Sequence, residues 1–305
     1  MTNLIPQHAE ILTKAVELVQ AFYLDHPEIK VSHGWKHVHA VWKHTQQALI
    51  SYFHNDENIN ENDSRSSWSS SKISIEIQLA SLLHDLDDRK YFPKPKITRL
   101  LPNKYSNAAA LLEQLGIEVI EGLPVGGSGN DTLIKNYSDR ISGHIILQMI
   151  SWVSCSENGN LVPKLVQETG AYHLLIPRWA DRLEAVGARG VVRCYQYNKE
   201  QQSAPLFSDQ SPRPKNEQEL WFLLQSNPNR LHDYMDRGGT STDMISHYYD
   251  KLLPVAKPPK SIVRNQYLET QADLGAKHLV EVCVRFGKSG TVDKDYMDQL
   301  AMTLG

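Results

Sequence analysis

Three stretches of the chain concentrate side chains that can hold a metal ion. In VSHGWKHVHAVWKH, residues 31–44, His33, His37 and His44 follow one another at steps of four and seven residues. At about 100° per helical residue, that spacing leaves them on roughly one face. In SLLHDLDDRK, residues 81–90, an apolar run ends in His84, Asp85, Asp87 and Asp88. Asp181 lies in WADRLEAVGARG, residues 179–190. Imidazole nitrogen combined with carboxylate oxygen suits a hard or borderline divalent cation. The apolar run sharpens the demand, because a carboxylate that leaves water must find compensation. Basic side chains, a solvent-filled cleft or a metal ion would each supply it. Taken singly, each stretch also has an ordinary explanation. A histidine on an amphipathic helix is usually a packed or solvated residue, and an aspartate beside an arginine is usually a simple ion pair.

These residues are positioned by helices. Ile11, Ala15, Leu18, Val19 and Phe22 recur at three- and four-residue steps and predict an amphipathic first helix. Ser32 is placed to cap a second, running through HGWKHVHAVWKHTQQALISYF. ISIEIQLASLLHDL predicts a third; its β-branched opening suits a strand, but its length favours a helix. YSNAAALLEQLG predicts a helix closed by its glycine. RISGHIILQMISWV and LIPRWADRLEAVGARGVVRCYQY predict one helix each, and DMISHYYDKLL and ETQADLGAKHLVEVCVRF the last two. Residues 54–72 and 199–240 are polar, and read as a mobile surface loop and a partly ordered excursion. No internal repeat or strand–helix alternation is present. The prediction is one all-α domain over residues 1–305 carrying two long polar insertions.

The chain has 305 residues, 41% hydrophobic and 22% charged, with a formal net charge of −3. That is enough for one large core or two modest ones. The near-neutral balance argues against a surface for duplex nucleic acid and leaves room for a small phosphorylated ligand. Cys155, Cys194 and Cys283 are scattered and odd in number, which argues against a disulfide framework and for a reducing compartment. No charged leader with a long apolar core opens the chain, and no run reaches membrane-spanning length. The expectation is a cytoplasmic protein without membrane contact. A homo-oligomer is compatible with it, with LLPVAKPPK or the long excursion as the contact surface.

Together, the order His…His-Asp…Asp on successive helices resembles the HD-domain metal-dependent phosphohydrolases. HGWKHVHAV is similar to that superfamily's opening H-x-x-x-H-V-x-x-V helix. LASLLHDLDDRKYF, WADRLEAVGARGVVRCYQY and MISHYYDKLL are similar to segments of its branch of small bacterial nucleotide phosphohydrolases. The resemblance covers most of the chain, apart from the N-terminal helix and the two insertions. It implies an all-α HD-domain helical bundle and a divalent metal ion (Mn²⁺, Mg²⁺, Co²⁺, Fe²⁺ or Ni²⁺) ligated by His37, His84, Asp85 and Asp181. His37 is preferred over His33 because it stands immediately before the Val-x-x-Val part of the motif. His33 matches an earlier histidine of the branch and is assigned to substrate phosphate or to supporting a ligand. Asp88 falls where relatives carry an acidic residue, and Lys90 matches the branch's lysine. Asp87 stands where a glycine is usual, and Gly34 where an aspartate is usual.

The activity so implied is hydrolysis of a nucleotide phosphate ester or anhydride, in a nucleoside mono- or triphosphate, by a metal-activated water. Asp85 and Asp88 are the catalytic carboxylates, Asp88 orienting the water or carrying its proton. A surface ion pair of Asp88 with Arg89 or Lys90 is an equal alternative. Asp87 and Asp88 are expected on a cleft rim, one of them solvated. On a single helix, Arg182, Arg189 and Arg193 would form a stripe within about 20°, and guanidinium forks suit phosphate. Arg182 and Arg193 also recur in the family wording, so with His33 and Lys90 they are the expected substrate-binding residues. A cyclic-nucleotide phosphodiesterase is a second reading, disfavoured in two-metal form because no additional ligand set is visible. A non-catalytic nucleotide-binding regulatory protein is a third, which the intact ligand residues argue against.

Overall fold

Apolar residues recurring at three and four positions build the first helices: α1 (Pro6–Asp25), α2 (Trp35–Asn55) and α3 (Ser64–Leu83). In this computed structural model the described residues are 6–30, 33–55, 64–92, 100–119, 140–201 and 205–303. All regular structure among them is helical, as the sequence predicts, with no strand. Further helices are α4 (Ser106–Gln114), α5 (Gly143–Val153), α6 (Ile176–Val186), α7 (Ala188–Gln201), α8 (Glu217–Gln225), α9 (Arg230–Asp236), α10 (Gln266–Ser289) and α11 (Lys294–Met302). They fall into two compact units, Met1–Val153 with Thr169–Ala180, and Ser154–Glu168 with Asp181–Gly305.

The first unit is organised on α3. Every residue from 74 to 83 is buried, and a helix covered on all sides belongs at the centre. It packs against α1, α2 and α5, which supply Val19, Val41, Leu49 and Ile146 among others to the core. Two of its buried polar side chains find partners on α2. Ser81 Oγ lies 2.7 Å from Thr45 Oγ1, and Gln78 Oε1 accepts from Trp42 Nε1 at 3.0 Å. The helix starts at Ser64, so residues 64–72 are not the loop expected; residues 56–63 lie outside the described residues. The physical reason is propagation: once the buried stretch is helical, each added residue gains a hydrogen bond, and serine opposes this only weakly. Ser71 is itself buried, with His8 Nδ1 at 2.8 Å from its hydroxyl.

The second unit is organised on α10, which buries Leu279, Val282, Cys283 and Phe286 against Val191, Leu220, Tyr248 and Leu253. Asn216, Asp243, Asn265 and Asp293 each accept a backbone N–H at a helix start, the usual work of N-cap residues. The expected excursion over 199–240 is for the most part built structure. Residues 199–201 finish α7, and α8 and α9 follow. Phe207 rests 5.3 Å from Phe286, ring to ring. A Cβ on Gly287 would come within 1.8 Å of the Pro214 carbonyl oxygen, so this segment lies directly on α10. Polar composition hid these anchors; residues 202–204 lie outside the described residues.

The single helix expected over residues 175–197 breaks at Gly187 into α6 and α7. A Cβ on Gly190 would lie 2.1 Å from the Ala185 carbonyl oxygen, a fold-back only glycine permits. Arg182 and Arg193 therefore belong to different helices, and the stripe expected of them does not form.

Candidate metal centre

His37 lies in the first turn of α2, and His84 and Asp85 directly follow the end of α3. The two rings meet at 5.4 Å between centroids and 64° between planes. Asp85 spans both: Oδ2 is 3.5 Å from His37 Nε2 and Oδ1 is 3.6 Å from His84 Nε2. α6 begins in the first unit, and Asp181 is the residue after Ala180 in that uninterrupted helix. His37, His84 and Asp181 each offer one ligand atom, all within 4.8 Å of one another.

The His84 ring is oriented from behind. Its Nδ1 is 2.8 Å from the Ser81 carbonyl oxygen, which can only accept, so Nδ1 carries the hydrogen. In the neutral ring Nε2 then presents a lone pair. Nε2 faces the Asp85 carboxylate on a side chain only 1% exposed, where solvent screens charge little. A proton on the ring or a metal ion between the two groups would suit that pairing. Two imidazole nitrogens and the Asp181 carboxylate converge, with Asp85 beside both rings and one ring fixed by a carbonyl behind it; these are donors that fit a divalent metal ion.

A second group shares Asp85. His33, Asp85 and Asp88 also offer ligand atoms within 4.8 Å of one another. His33 Nε2 is 3.7 Å from Asp88 Oδ2. Lys90 joins them: its Nζ lies 2.5 Å from His33 Nε2 and 3.9 Å from Asp88 Oδ2, while its backbone N–H donates to Asp88 Oδ1 at 3.0 Å. The expectation of no additional ligand set is therefore corrected. The signal was present as two short repeats, His33/His37 and Asp85/Asp88, but only the turn after α3 turns the second aspartate back toward the first. His33 itself stands in the turn before α2 rather than on the helix face expected for it, and the proposed cap Ser32 lies outside the described residues.

Among curated proteins, the uncharacterized protein L803 of Acanthamoeba polyphaga mimivirus is 30% identical to this chain over 212 residues, spanning 70% of this chain and 76% of that one. The chain belongs to the family of that protein. No protein-family model matches it. Among solved structures, a Lactobacillus plantarum structural-genomics target superposes with a TM-score of 0.52 at 15% identity, over 92% of this chain and 98% of that one, which supports the fold alone.

The remaining expected residues separate. Asp87 is neither solvated nor at a rim: it is buried, and its two oxygens accept the backbone N–H groups of Asn107 and Ala108, each at 3.0 Å. It caps the start of α4, where unsatisfied N–H groups attract an anion. Arg182 is buried too, and its guanidinium donates to Asn160 Oδ1 at 2.7 Å and to the Gly159 carbonyl. Burial holds its pKa below the ordinary value. It secures residues 159–160 in place of the phosphate expected for it. Arg193 is half-buried on α7, in the second unit. One residue escaped the sequence reading. The Tyr23 hydroxyl on α1 is buried with no hydrogen-bond partner among the described residues. Burial, then the charges of Asp85, Asp88 and Asp87, push its pKa above the ordinary value. Its helix shows only a packing pattern in sequence, and nothing there marks Tyr23 out.

Proposed function

We propose that the protein is a divalent-metal-dependent phosphohydrolase of the HD-domain kind, cleaving a phosphate ester or anhydride of a nucleotide in the cytoplasm. The observation that carries this reading is the His84 ring, turned by the bond from Nδ1 to Ser81 so that Nε2 faces Asp85. His37 and Asp181 complete the set, and the resemblance of these same segments to HD-domain enzymes points the same way. His37, His84, Asp85 and Asp181 would hold the metal ion, which would supply a water acidic enough to be hydroxide near neutral pH and polarise a phosphoryl oxygen.

The chain's own groups do the rest. Ser81 fixes the His84 ring, and Asp85 lies beside that ring and the His37 ring. Asp88, 15% exposed and held by the Lys90 backbone N–H, takes the proton of the attacking water, as a base within hydrogen-bond reach can. The Lys90 ammonium, on a side chain 62% exposed, meets phosphoryl oxygens together with His33. The test is release of phosphate and of pyrophosphate from a panel of nucleoside mono-, tri- and cyclic phosphates with Mn²⁺, Mg²⁺ and Co²⁺. Turnover by the wild type that Asp85→Ala abolishes supports the reading. No turnover of any member, or turnover unchanged in Asp85→Ala, refutes it.

A further inference from the structure

We infer that the Lys90 ammonium fills a second cation position, formed by His33, Asp85 and Asp88, that a divalent metal ion would otherwise occupy. The inference rests on the reading of His37, His84, Asp85 and Asp181 as a metal site, because Asp85 is common to both groups.

The donors decide the kind of occupant. One imidazole and two carboxylates converge within 4.8 Å, on side chains only 17%, 22% and 15% exposed for His33, Asp85 and Asp88. Two carboxylates so close and so little hydrated call for positive charge. Lys90 brings a compact ammonium with three donors. An ammonium can only donate, so the contact with His33 Nε2 consumes the lone pair a metal ion would use. The same head group faces Asp88 Oδ2, the second donor such an ion would need. Lys90 is tied to this place through its own backbone, whose N–H is bonded to Asp88 Oδ1. A tethered cation competes at high effective concentration against a free one.

The result is one metal position beside one ammonium, in place of two metal positions bridged by a carboxylate. The two differ in use. A metal ion in the second group would keep Asp88 as a ligand, whereas an ammonium on an exposed, flexible stem can turn to a phosphoryl oxygen and leave the Asp88 carboxylate to accept a proton.

Mn²⁺ alone, titrated into the full chain and followed by metal content after desalting and by electron paramagnetic resonance, tests this without any substrate. The wild type and Lys90→Arg are expected to hold one Mn²⁺ per chain. Lys90→Met is expected to hold two, with the exchange-coupled spectrum of a bridged pair, and Lys90→Met/Asp88→Asn is expected to return to one. Two ions in the wild type, or a single ion in a Lys90→Met protein whose circular dichroism melt matches the wild type, overturns the inference and leaves the first site standing. If no variant binds Mn²⁺, the reading of the first site fails and the inference falls with it.

Discussion

Replacing Glu76 by Gln is expected to remove a pH-dependent weakness from the centre of the first unit. Glu76 is fully buried on α3. One oxygen accepts from the Ser142 N–H at 2.8 Å and lies 3.9 Å from Lys72 Nζ, while Oε2 has no hydrogen-bond partner among the described residues. Burial pushes the carboxyl up from an ordinary 4.5 to about 7, against the opposing pull of the Ser142 N–H and Lys72. The fold therefore binds this proton more tightly than the unfolded chain does. Its contribution is fully present below the unfolded value, declines as pH rises toward 7, and is constant above that. At about 1.4 kcal/mol per pH unit, the wild type loses about 3 kcal/mol across the interval. Gln keeps the shape and cannot ionise. Urea denaturation of both proteins at pH 4.5, 5.5, 6.5 and 7.5 isolates the effect, since the other titrating groups are common to both and cancel in the difference. The variant should gain on the wild type steadily over that range. Parallel curves, with the difference unchanged to within about 0.5 kcal/mol, the usual span of a substitution that removes no special interaction, would refute the reasoning.

Asp87→Ala removes the acceptor for two N–H groups at the start of α4. It should cost about 1–3 kcal/mol in denaturant and leave Mn²⁺ affinity unchanged by calorimetry; the reverse pattern would place Asp87 in the site. Gly190→Ala forces a Cβ to within 2.1 Å of a carbonyl and should cost about 1–3 kcal/mol or more. Gly187→Ala, whose Cβ meets only an ordinary contact at 3.6 Å, should cost less than half as much in the same denaturation assay.

What could be read before the fold was seen divides by the range of the interaction responsible. The helical period of α1, α2, α4, α5 and α10 is a local signal, and these helices form where it predicts. The start of α3 is not local: serines with little preference follow the buried stretch beyond them. The break at Gly187 was hidden because a run of small residues suits both a helix interior and a tight fold-back, and only the approach of Ala185 to Gly190 distinguishes them. The first donor group could be anticipated because each of its members carries a distinctive neighbourhood. Asp87 could not be placed, since its partners lie 20 and 21 residues onward and a cap of that kind leaves no pattern beside the residue that makes it. Arg182 differs for a related reason: arginine's affinity for phosphate is legible in its chemistry, but its commitment to residues 159–160 depends on packing.

Calorimetric titration of Mn²⁺ into the wild type, His84→Ala and Asp181→Asn, each checked for an unchanged melt, addresses the metal centre most directly. Saturable binding by the wild type is expected, with a loss of about 100-fold or more in each variant, beyond the 10–100-fold typical of a supporting residue. Wild-type protein that takes up no Mn²⁺, or folded His84→Ala and Asp181→Asn proteins that bind it as tightly as the wild type, would contradict it.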